Sequence, residues 1–334
     1  MSRFTRFVAD HSGRLAMPIL TFPGAALAGA TVRQMVTDPA AQVAAQLALR
    51  ERFATPALLS CMDLSVEAEA FGAKVSTAED EVPTVIGRLV TNAVEAAALR
   101  VPAIGAGRTG VYLETVRRLA ALPARPPVLA GMIGPFSLAG RLFGVSETLG
   151  LSLEDPELTH VLLGRTTAFL TAYARAFKAA GAAGVIMAEP TAGLLSPRAM
   201  ATFSSAYVNQ IVTAVDDHQF TLILHNCAAK PVHLPAIFRA GVKAVHFGAP
   251  MDLPTALAQT PADVIVCGNL DPAAVFVQSS PGEVRAAVHR LLGATQAHRN
   301  FVLSSGCDVP PKTPMANLDA FFAALADGWP GQTG

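Results

Sequence analysis

Three residues in this sequence have the types and spacing of a metal site. His225 and Cys227 are two positions apart, and Cys307 follows much later in the chain. If His225 and Cys227 lie on one strand, their side chains face the same side. One imidazole and two thiolates suit zinc, and three protein ligands with an open fourth position are typical of catalytic zinc. The sequence contains no Cys-x-x-Cys pair, which excludes a zinc knuckle or ribbon.

A histidine and cysteines can also simply fill a protein core, and the residue pattern alone leaves this alternative open. Cysteine is among the most buried residue types and often behaves as a small hydrophobic side chain. We interpret Cys61 and Cys267 in this way, since each lies within an apolar run. His246 is predicted to be a hydrogen-bonded wall residue and not a ligand. The metal hypothesis therefore depends on the fold bringing the three candidate ligands together.

Two carboxylates are candidate catalytic residues. Asp63 and Glu189 each come at the end of an apolar run, where a carboxylate can either act on a substrate or cap the next helix. Asp271 has the stronger helix-capping pattern, because Pro272 follows it and proline is favoured at the first helical position.

Eight short apolar runs alternate with longer helical patterns, and these elements must position the candidate residues. Most runs are continuous, which is typical of strands buried on both faces of a parallel sheet. The repeated strand–helix pattern predicts an α/β fold, a single (β/α)8 TIM barrel whose active site lies at the carboxyl ends of the strands. A doubly wound sheet is the alternative, but no glycine-rich phosphate turn follows the first run. The predicted strands are Pro18–Gly24, Ala57–Asp63, Pro127–Pro135, Gly184–Pro190, Phe220–Cys227, Ala244–Pro250, Val264–Pro272 and Phe301–Pro310.

Capping residues and glycines mark the predicted helices. Asp38, Asp155 and Ser196 each precede a proline, as helix N-caps do. The segment Val82–Gly107 is longer than a barrel connection needs and is predicted to cover the barrel mouth. We expect one domain over residues 1–334, with its core at about 17–327. The predicted helices are Leu158–Ala180 ending near Gly181, Pro231–Ala240 ending at Gly241, Pro281–Ala294 and Pro314–Ala326.

Composition narrows the function classes. Twenty-five basic and twenty-five acidic residues balance, so the basic excess of a nucleic-acid-binding protein is missing. No apolar stretch approaches the roughly 20 residues of a membrane span, and the N-terminus has no apolar signal core. We therefore expect a cytoplasmic protein that binds neither nucleic acid nor membrane. The apolar composition would allow a homodimer.

Three segments give a family resemblance that runs in order from about Pro18 to Phe322. They are Gly268-Asn269-Leu270-Asp271-Pro272, the stretch Asp63–Val75 and the stretch Gly131–Ala139. The chain resembles the uroporphyrinogen decarboxylase superfamily, and within it the zinc-dependent methylcobamide:coenzyme M methyltransferases. Decarboxylases of this superfamily carry an arginine motif after the first strand, and Phe22–Leu27 contains no arginine. The chain departs from the methyltransferase pattern at Ala228, where glycine is usual.

The resemblance implies a zinc-dependent methyltransferase with His225, Cys227 and Cys307 as ligands. It would move a methyl group between a corrinoid (cobalamin-type) carried by a partner protein and a small acceptor or donor. A zinc-bound thiol is deprotonated, which would make it a nucleophile for the cobalt-bound methyl group. We predict that Glu189 fills the fourth zinc position at rest and that Asp63 lines the substrate pocket.

Two other functions remain alternatives at this stage. One is a uroporphyrinogen decarboxylase-type carboxy-lyase with Asp63 as its key acid. The other is a non-catalytic barrel that binds a tetrapyrrole or corrinoid. The sequence leaves open whether the methyl acceptor is coenzyme M, another thiol or a folate, and whether the donor is a methoxy compound or a methylamine.

Overall fold

A computed structural model describes residues 1–327, which form a curled parallel sheet surrounded by helices. The prediction of one domain over 1–334 includes residues 328–334, which lie outside the described residues, and that prediction stays untested. The strands are β1 (Leu58–Leu59), β2 (Lys74–Val75), β3 (Val85–Ile86), β4 (Val128–Ile133), β5 (Gly184–Ala188), β6 (Thr221–Asn226), β7 (Ala244–Phe247), β8 (Ile265–Leu270) and β9 (Phe301–Ser305).

Most connections between the strands are helical. The α-helices are α1 (Arg3–Ala9), α2 (Gly24–Ala28), α3 (Val32–Thr37), α4 (Pro39–Phe53), α5 (Val66–Ala70), α6 (Ala93–Ala98), α7 (Thr109–Ala121), α8 (Pro135–Phe143), α9 (Val145–Glu154), α10 (Pro156–Ala179), α11 (Pro197–Met200), α12 (Ala206–Val215), α13 (Leu234–Phe238), α14 (Leu253–Gln259), α15 (Pro281–Ala294) and α16 (Met315–Ala326). Short 3-10 helices occur at Thr191–Leu194 and Pro231–His233, and π-helical turns at Ala201–Ser205 and Pro272–Gln278.

The main sheet is parallel throughout, with the order β1-β4-β5-β6-β7-β8-β9. Its strands are buried almost along their whole length, which explains their continuous apolar sequences. Seven of the eight predicted runs form these strands. The predicted (β/α)8 architecture is confirmed. Among the eight runs, the structure differs from the prediction only in the form of the first, Pro18–Gly24.

The first predicted strand, Pro18–Gly24, does not form a ladder of its own. The chain before it pairs with β9 only through an isolated parallel bridge between Ala16 and Leu303, and helix α2 already begins at Gly24. The two prolines of this run, Pro18 and Pro23, lack the amide hydrogen that a central strand must donate.

A glutamine side chain takes the place of the missing ladder between the first run and β1. Gln46 of α4 donates a hydrogen bond to the Leu20 carbonyl at 3.1 Å and accepts one from the Leu59 amide at 2.8 Å. Gln42, one helical turn earlier, accepts from the Cys61 amide at 3.1 Å. Gln46 thus connects the first run to β1 without direct strand pairing.

Successive side chains of each strand point alternately into the barrel interior and toward the surrounding helices. Ile223 of β6 packs inside the barrel with Phe4 and Val8 of α1, which close the amino-terminal end. Leu222 and Leu224 pack in the other cluster, between the sheet and the helices. Since alternate strand residues face the same side, the side chain of His225, two positions after Ile223, also points inward.

Most of the predicted helix boundaries are confirmed. The Asp38, Asp155 and Ser196 side chains each accept a hydrogen bond from an amide in the first turn of the helix that follows. The predicted helix over Pro231–Ala240 is wrong in form, because it is a 3-10 turn followed by the short α13. Pro235, inside this segment, has no amide hydrogen to donate to a continuous α-helix.

The insertion predicted over the barrel mouth is also confirmed. Between α5 and α7 the chain forms a small antiparallel hairpin of β2 and β3, followed by α6. The residues Val82–Val85 line a cavity whose opposite wall follows β9. Within residues 1–327, no helix combines the length and the apolar character needed to cross a membrane.

Candidate metal centre and active site

The carboxyl ends of β6 and β9 bring the three predicted ligands together. His225 lies near the end of β6, Cys227 directly follows that strand, and Cys307 follows β9. One potential ligand atom from each of the three residues lies within 4.8 Å of the other two. The fold therefore gathers residues that are distant in sequence at one point of the barrel rim.

The donor set fits a zinc ion. His225 is buried, and its Nε2 atom has no hydrogen-bond partner among the described residues. A buried nitrogen without a partner is costly, which suits a metal ligand better than a packing residue. Cys227 and Cys307 are free cysteines that remain partly exposed, so a substrate can reach this group from the barrel mouth.

The two thiols are electrostatically unequal. A hydrogen bond with Cys307 lowers the pKa of Cys227 to about 7. The same contact, together with burial, raises the pKa of Cys307 to about 12. Cys227 is therefore the sulfur that ionises first, and a metal ion that binds both as thiolates must displace the proton from Cys307.

The hydrogen bonds behind His225 determine which of its nitrogens carries the proton. The Met17 carbonyl can only accept, so the Ser304 hydroxyl donates to it at 2.7 Å. Ser304 Oγ in turn accepts from Nε2 of His246 at 2.8 Å. Burial lowers the pKa of His246 well below its ordinary value, so this ring carries one proton and its Nδ1 is an acceptor. His225 Nδ1 therefore donates, and its Nε2 keeps a free lone pair for a metal.

Both oxygens of the Glu189 carboxylate accept hydrogen bonds at the amino terminus of α8. One of its oxygens accepts from the Phe136 amide at 2.9 Å, and the other accepts from the amide and hydroxyl of Ser137 at 2.9 and 2.7 Å. It thus caps the amino terminus of α8 as a buried carboxylate. Burial raises its pKa to about 7. Glu189 does not belong to the three-residue group, and serving as a fourth ligand would break these hydrogen bonds. Its predicted role at the metal stays a prediction.

Asp63 belongs to a buried charge network. Its carboxylate accepts from the guanidinium of Arg108, from the hydroxyl of Tyr112 at 3.2 Å and from the hydroxyl of Ser65 at 2.6 Å. Arg108 also donates to Glu69 at 2.6 Å. Because the Asp63 side chain is fully buried, it orients Arg108 and does not itself form the wall of the cavity described next.

A cavity of about 260 Å³ borders this network, since Ser65 is part of its lining. Its lining also includes Asp308, the residue after Cys307. Arg141, on α8, also lines this cavity. The full lining consists of Phe22, Met62, Leu64, Ser65, Val82–Val85, Arg141 and Asp308–Pro311.

Several residues of the site have no signal in the sequence analysis. Arg141 lies on α8 and Arg108 directly precedes α7, and nothing in the local pattern distinguishes either from a surface arginine. His246 is hydrogen-bonded and is not one of the three candidate ligands, as predicted, and it is the direct neighbour of His225 in the parallel register of β6 and β7. The hydrogen bond from His246 to Ser304 depends on which strands become neighbours and has no sequence signature.

Comparison with known proteins places this architecture in a family. A family model described as uroporphyrinogen decarboxylase (URO-D) matches residues 13–327. A methylcobamide:CoM methyltransferase, MtbA, of Methanosarcina mazei is 31% identical over 77% of this chain and 75% of its own length. A uroporphyrinogen decarboxylase of Ectopseudomonas mendocina is 28% identical over 64% of this chain and 61% of its own length.

Solved structures agree on the fold. A methyltransferase from Methanosarcina mazei superposes with a TM-score of 0.86 over 97% of both chains, at 22% identity. A B12-independent methionine synthase from Shewanella sp. W3-18-1 is more distant, with a TM-score of 0.56 over 95% of both chains and 13% identity. The chain belongs to the uroporphyrinogen decarboxylase family, within the group that includes the methylcobamide:CoM methyltransferases.

Proposed function

We propose that this enzyme is a zinc-dependent methyltransferase that moves a methyl group between a corrinoid on a partner protein and a small thiol. The observation that carries the proposal is the group of His225, Cys227 and Cys307, in which Nε2 of His225 is buried and unpaired among the described residues. Family membership supports the reaction class, since relatives in this group are named methylcobamide:CoM methyltransferases.

The residues of this chain would bind and orient the reactants. His225, Cys227 and Cys307 would hold zinc, which when bound would keep a substrate thiol deprotonated near neutral pH. Two thiolate ligands balance the charge of the ion, so the sulfur of a bound substrate would remain electron-rich. His246 and Ser304 hold the His225 ring in the tautomer that a metal needs.

The cysteines also bear on the partner protein and on the cellular compartment. We propose that a corrinoid-binding protein docks at the barrel mouth, where Cys227 and Cys307 are partly exposed. Four free cysteines suit a reducing compartment, and we propose the cytoplasm. A homodimer remains compatible with the apolar composition.

The test is a spectroscopic assay with methyl-Co(III) corrinoid and a panel of thiols. We expect the spectrum of the alkylated corrinoid to be lost only when the zinc-loaded enzyme is present. Cys227→Ala and chelation should both abolish the reaction, and added zinc should restore the chelated wild type. Cys267→Ala is the matched control, because that thiol is buried in the core. Full activity in Cys227→Ala or after chelation would overturn the zinc proposal.

The decarboxylase alternative has its own discriminating test. The segment Phe22–Leu27 offers no guanidinium for a porphyrinogen carboxylate. Anaerobic incubation with uroporphyrinogen should therefore yield no appreciable coproporphyrinogen. A useful rate of decarboxylation would instead assign the chain to the carboxy-lyases.

A further inference from the structure

Another cavity, of about 720 Å³, lies at the amino-terminal end of the barrel, and we call it the amino-terminal cavity. Its walls include residues 54–56, which precede β1, and residues 124–126, which precede β4. The strands of the main sheet are parallel, so all of them begin at this edge and end at the opposite one. Because His225, Cys227 and Cys307 lie at the carboxyl ends of strands, a ligand in the amino-terminal cavity is not a reactant at the metal centre.

Three arginines line the amino-terminal cavity and, within residues 1–327, no acidic residue does. They are Arg14, Arg50 and Arg125, each partly buried. None of the three belongs to an ion pair of the described residues, and residues 328–334 contain no acidic side chain. Asp319 of α16, the helix that forms one wall, is already bound by Arg52 through both carboxylate oxygens, at 2.9 and 2.7 Å. The cavity therefore carries positive charge that the described residues leave uncompensated.

Backbone carbonyls orient two of these guanidinium groups. Arg14 donates to the Gln296 carbonyl at 2.7 Å. Nε of Arg125 donates to the Ala120 carbonyl at 2.5 Å. Arg50 makes no side-chain hydrogen bond within residues 1–327. Because a guanidinium has five N–H groups, all three arginines keep donors for a ligand.

Burial and like charge make these cations costly. Burial lowers the pKa of Arg14, and the nearby Arg299 lowers it further. Burial also lowers the pKa of Arg125, and Arg3 adds to this effect. A partly desolvated cation beside other cations gains more from binding an anion than a solvated and isolated cation does.

A buried hydroxyl group lines the same cavity. Thr55 is 8% exposed, and its Oγ1 has no hydrogen-bond partner within residues 1–327. A buried hydroxyl without a partner is costly, and native structures normally satisfy such a group with protein, water or a ligand. This observation is independent of the arginines, and it also indicates a polar ligand in the amino-terminal cavity.

The apolar part of the wall limits the character of the ligand. Phe53 and Phe322 stack with their ring centroids 4.8 Å apart, and both line the cavity. Phe7 and Leu325 extend this apolar surface. The volume of about 720 Å³ lies within the roughly 300–1,000 Å³ typical of small-molecule sites. A ligand that fits these walls has an apolar part beside its charged group.

We propose that the amino-terminal cavity binds a small organic anion. Its carboxylate or phosphate group accepts charge-assisted hydrogen bonds from Arg50 and Arg125, and a hydrogen bond from the Thr55 hydroxyl. Its apolar part lies against Phe53 and Phe322. The proposal does not depend on methyl transfer, because none of these residues belongs to the metal-ligand group.

The first experiment is calorimetry on the 334-residue chain with phenyl phosphate as the probe. Phenol is the matched neutral compound, and inorganic phosphate is the matched anion without an apolar part. We expect phenyl phosphate to bind at least about tenfold more tightly than either of them. If phenol bound as tightly, or if phenyl phosphate did not bind at all, the cavity would not be an anion site. Equal binding of inorganic phosphate would overturn the assignment to an organic anion.

Substitution of Arg50 tests the cationic wall. Arg50→Gln should weaken phenyl phosphate binding by about tenfold or more and leave phenol binding unchanged. Arg50→Lys keeps the charge but not the planar group, so it should retain part of the affinity. Arg239→Gln is the control, because Arg239 is exposed and does not line the cavity. Equal affinities of the wild type and Arg50→Gln for phenyl phosphate would contradict the proposal.

Two further variants locate the bound anion. Thr55→Val should weaken phenyl phosphate binding. The free variant should melt at least at the wild-type temperature, because the unpaired buried hydroxyl is gone. Arg141→Gln alters the cavity that borders the Asp63 network instead, and its affinity for phenyl phosphate should equal that of the wild type. Loss of binding in Arg141→Gln together with full binding in Thr55→Val would place the anion in that other cavity and overturn the proposal.

Discussion

The Nδ1 atoms of His225 and His246 lie 2.8 Å apart on neighbouring parallel strands. Two nitrogens at this distance must share one hydrogen. The other hydrogen bonds of His246 show which of the two rings donates it. His246 gives its only ring proton to Ser304, which is itself committed to the Met17 carbonyl. A backbone carbonyl at the start of the barrel thus determines the tautomer of a candidate metal ligand on β6.

Disrupting this series of hydrogen bonds behind His225 should weaken metal binding without removing a ligand. In His246→Phe the Nδ1 of His225 loses one of its two acceptors, and the ring is held less firmly. We expect zinc affinity to fall by about 10–100-fold, which is typical for loss of a residue that orients a metal ligand. A competition titration with a chromophoric chelator measures this. His289→Phe is the control, since His289 contacts the Ala324 carbonyl far from the site. Unchanged affinity in His246→Phe would mean that the tautomer is held by other groups.

The zinc content itself tests the ligand set. Metal analysis of the purified protein should find about one zinc per chain, as expected for a single three-ligand site. Cys307→Ala should lose most of this metal, whereas Cys267→Ala should keep it because Cys267 is wholly buried in the core. If Cys307→Ala retained its full zinc content, Cys307 could not be a ligand.

Gly248 allows the loop after β6 to approach β7 closely. A Cβ atom at this position would lie 2.2 Å from the Cys227 carbonyl oxygen and 2.6 Å from the Cys227 Cα. Because these are backbone atoms, Gly248→Ala must displace Cys227. We expect zinc affinity to fall by at least about tenfold, since ligand positions matter to within about 0.5 Å. Gly282→Ala is the control, with nothing within 4 Å of the added atom. Equal zinc affinity in both variants would contradict this role for Gly248.

Glu67 should make stability depend on pH. Its carboxyl group is buried, its Oε1 accepts from the Ile133 amide at 3.0 Å, and its Oε2 has no partner among the described residues. Burial raises its pKa from 4.5 to about 8. The folded state therefore binds this proton more tightly than the unfolded state does. Its contribution to stability is complete below pH 4.5 and is lost as pH rises to about 8.

The variant Glu67→Gln should remove this pH dependence. The amide keeps an acceptor for the Ile133 amide and cannot ionise. Relative to the wild type it should gain stability between pH 4.5 and 8, by an amount on the order of a few kcal/mol at the upper end. Urea unfolding at a series of pH values measures the difference. Asp80→Asn, at an exposed position, is the control. Parallel plots of stability against pH for the wild type and Glu67→Gln would show that Glu67 does not cause the pH dependence.

The sequence by itself determined the repeated strand–helix order and the three candidate ligands. Buried parallel strands require continuous apolar runs, and helix starts require capping side chains, so both are visible along the chain. The spacing of His225 and Cys227 was also informative, because alternate strand residues share a face. The missing ladder at Pro18–Gly24 was not predicted, although its two prolines are the local reason for it.

Only the tertiary structure decided what the other polar residues do. Glu189 directly follows β5 and Asp63 lies four residues beyond β1, but their hydrogen-bond donors include Arg108, just before α7, and Phe136, at the start of α8. His246 and Ser304 meet because β7, β8 and β9 curl around one interior. Arg141 lines its cavity together with Leu64 and Ser65 because α8 packs against α5. Contacts between residues far apart in sequence arise from the closure of the sheet, which no local pattern encodes.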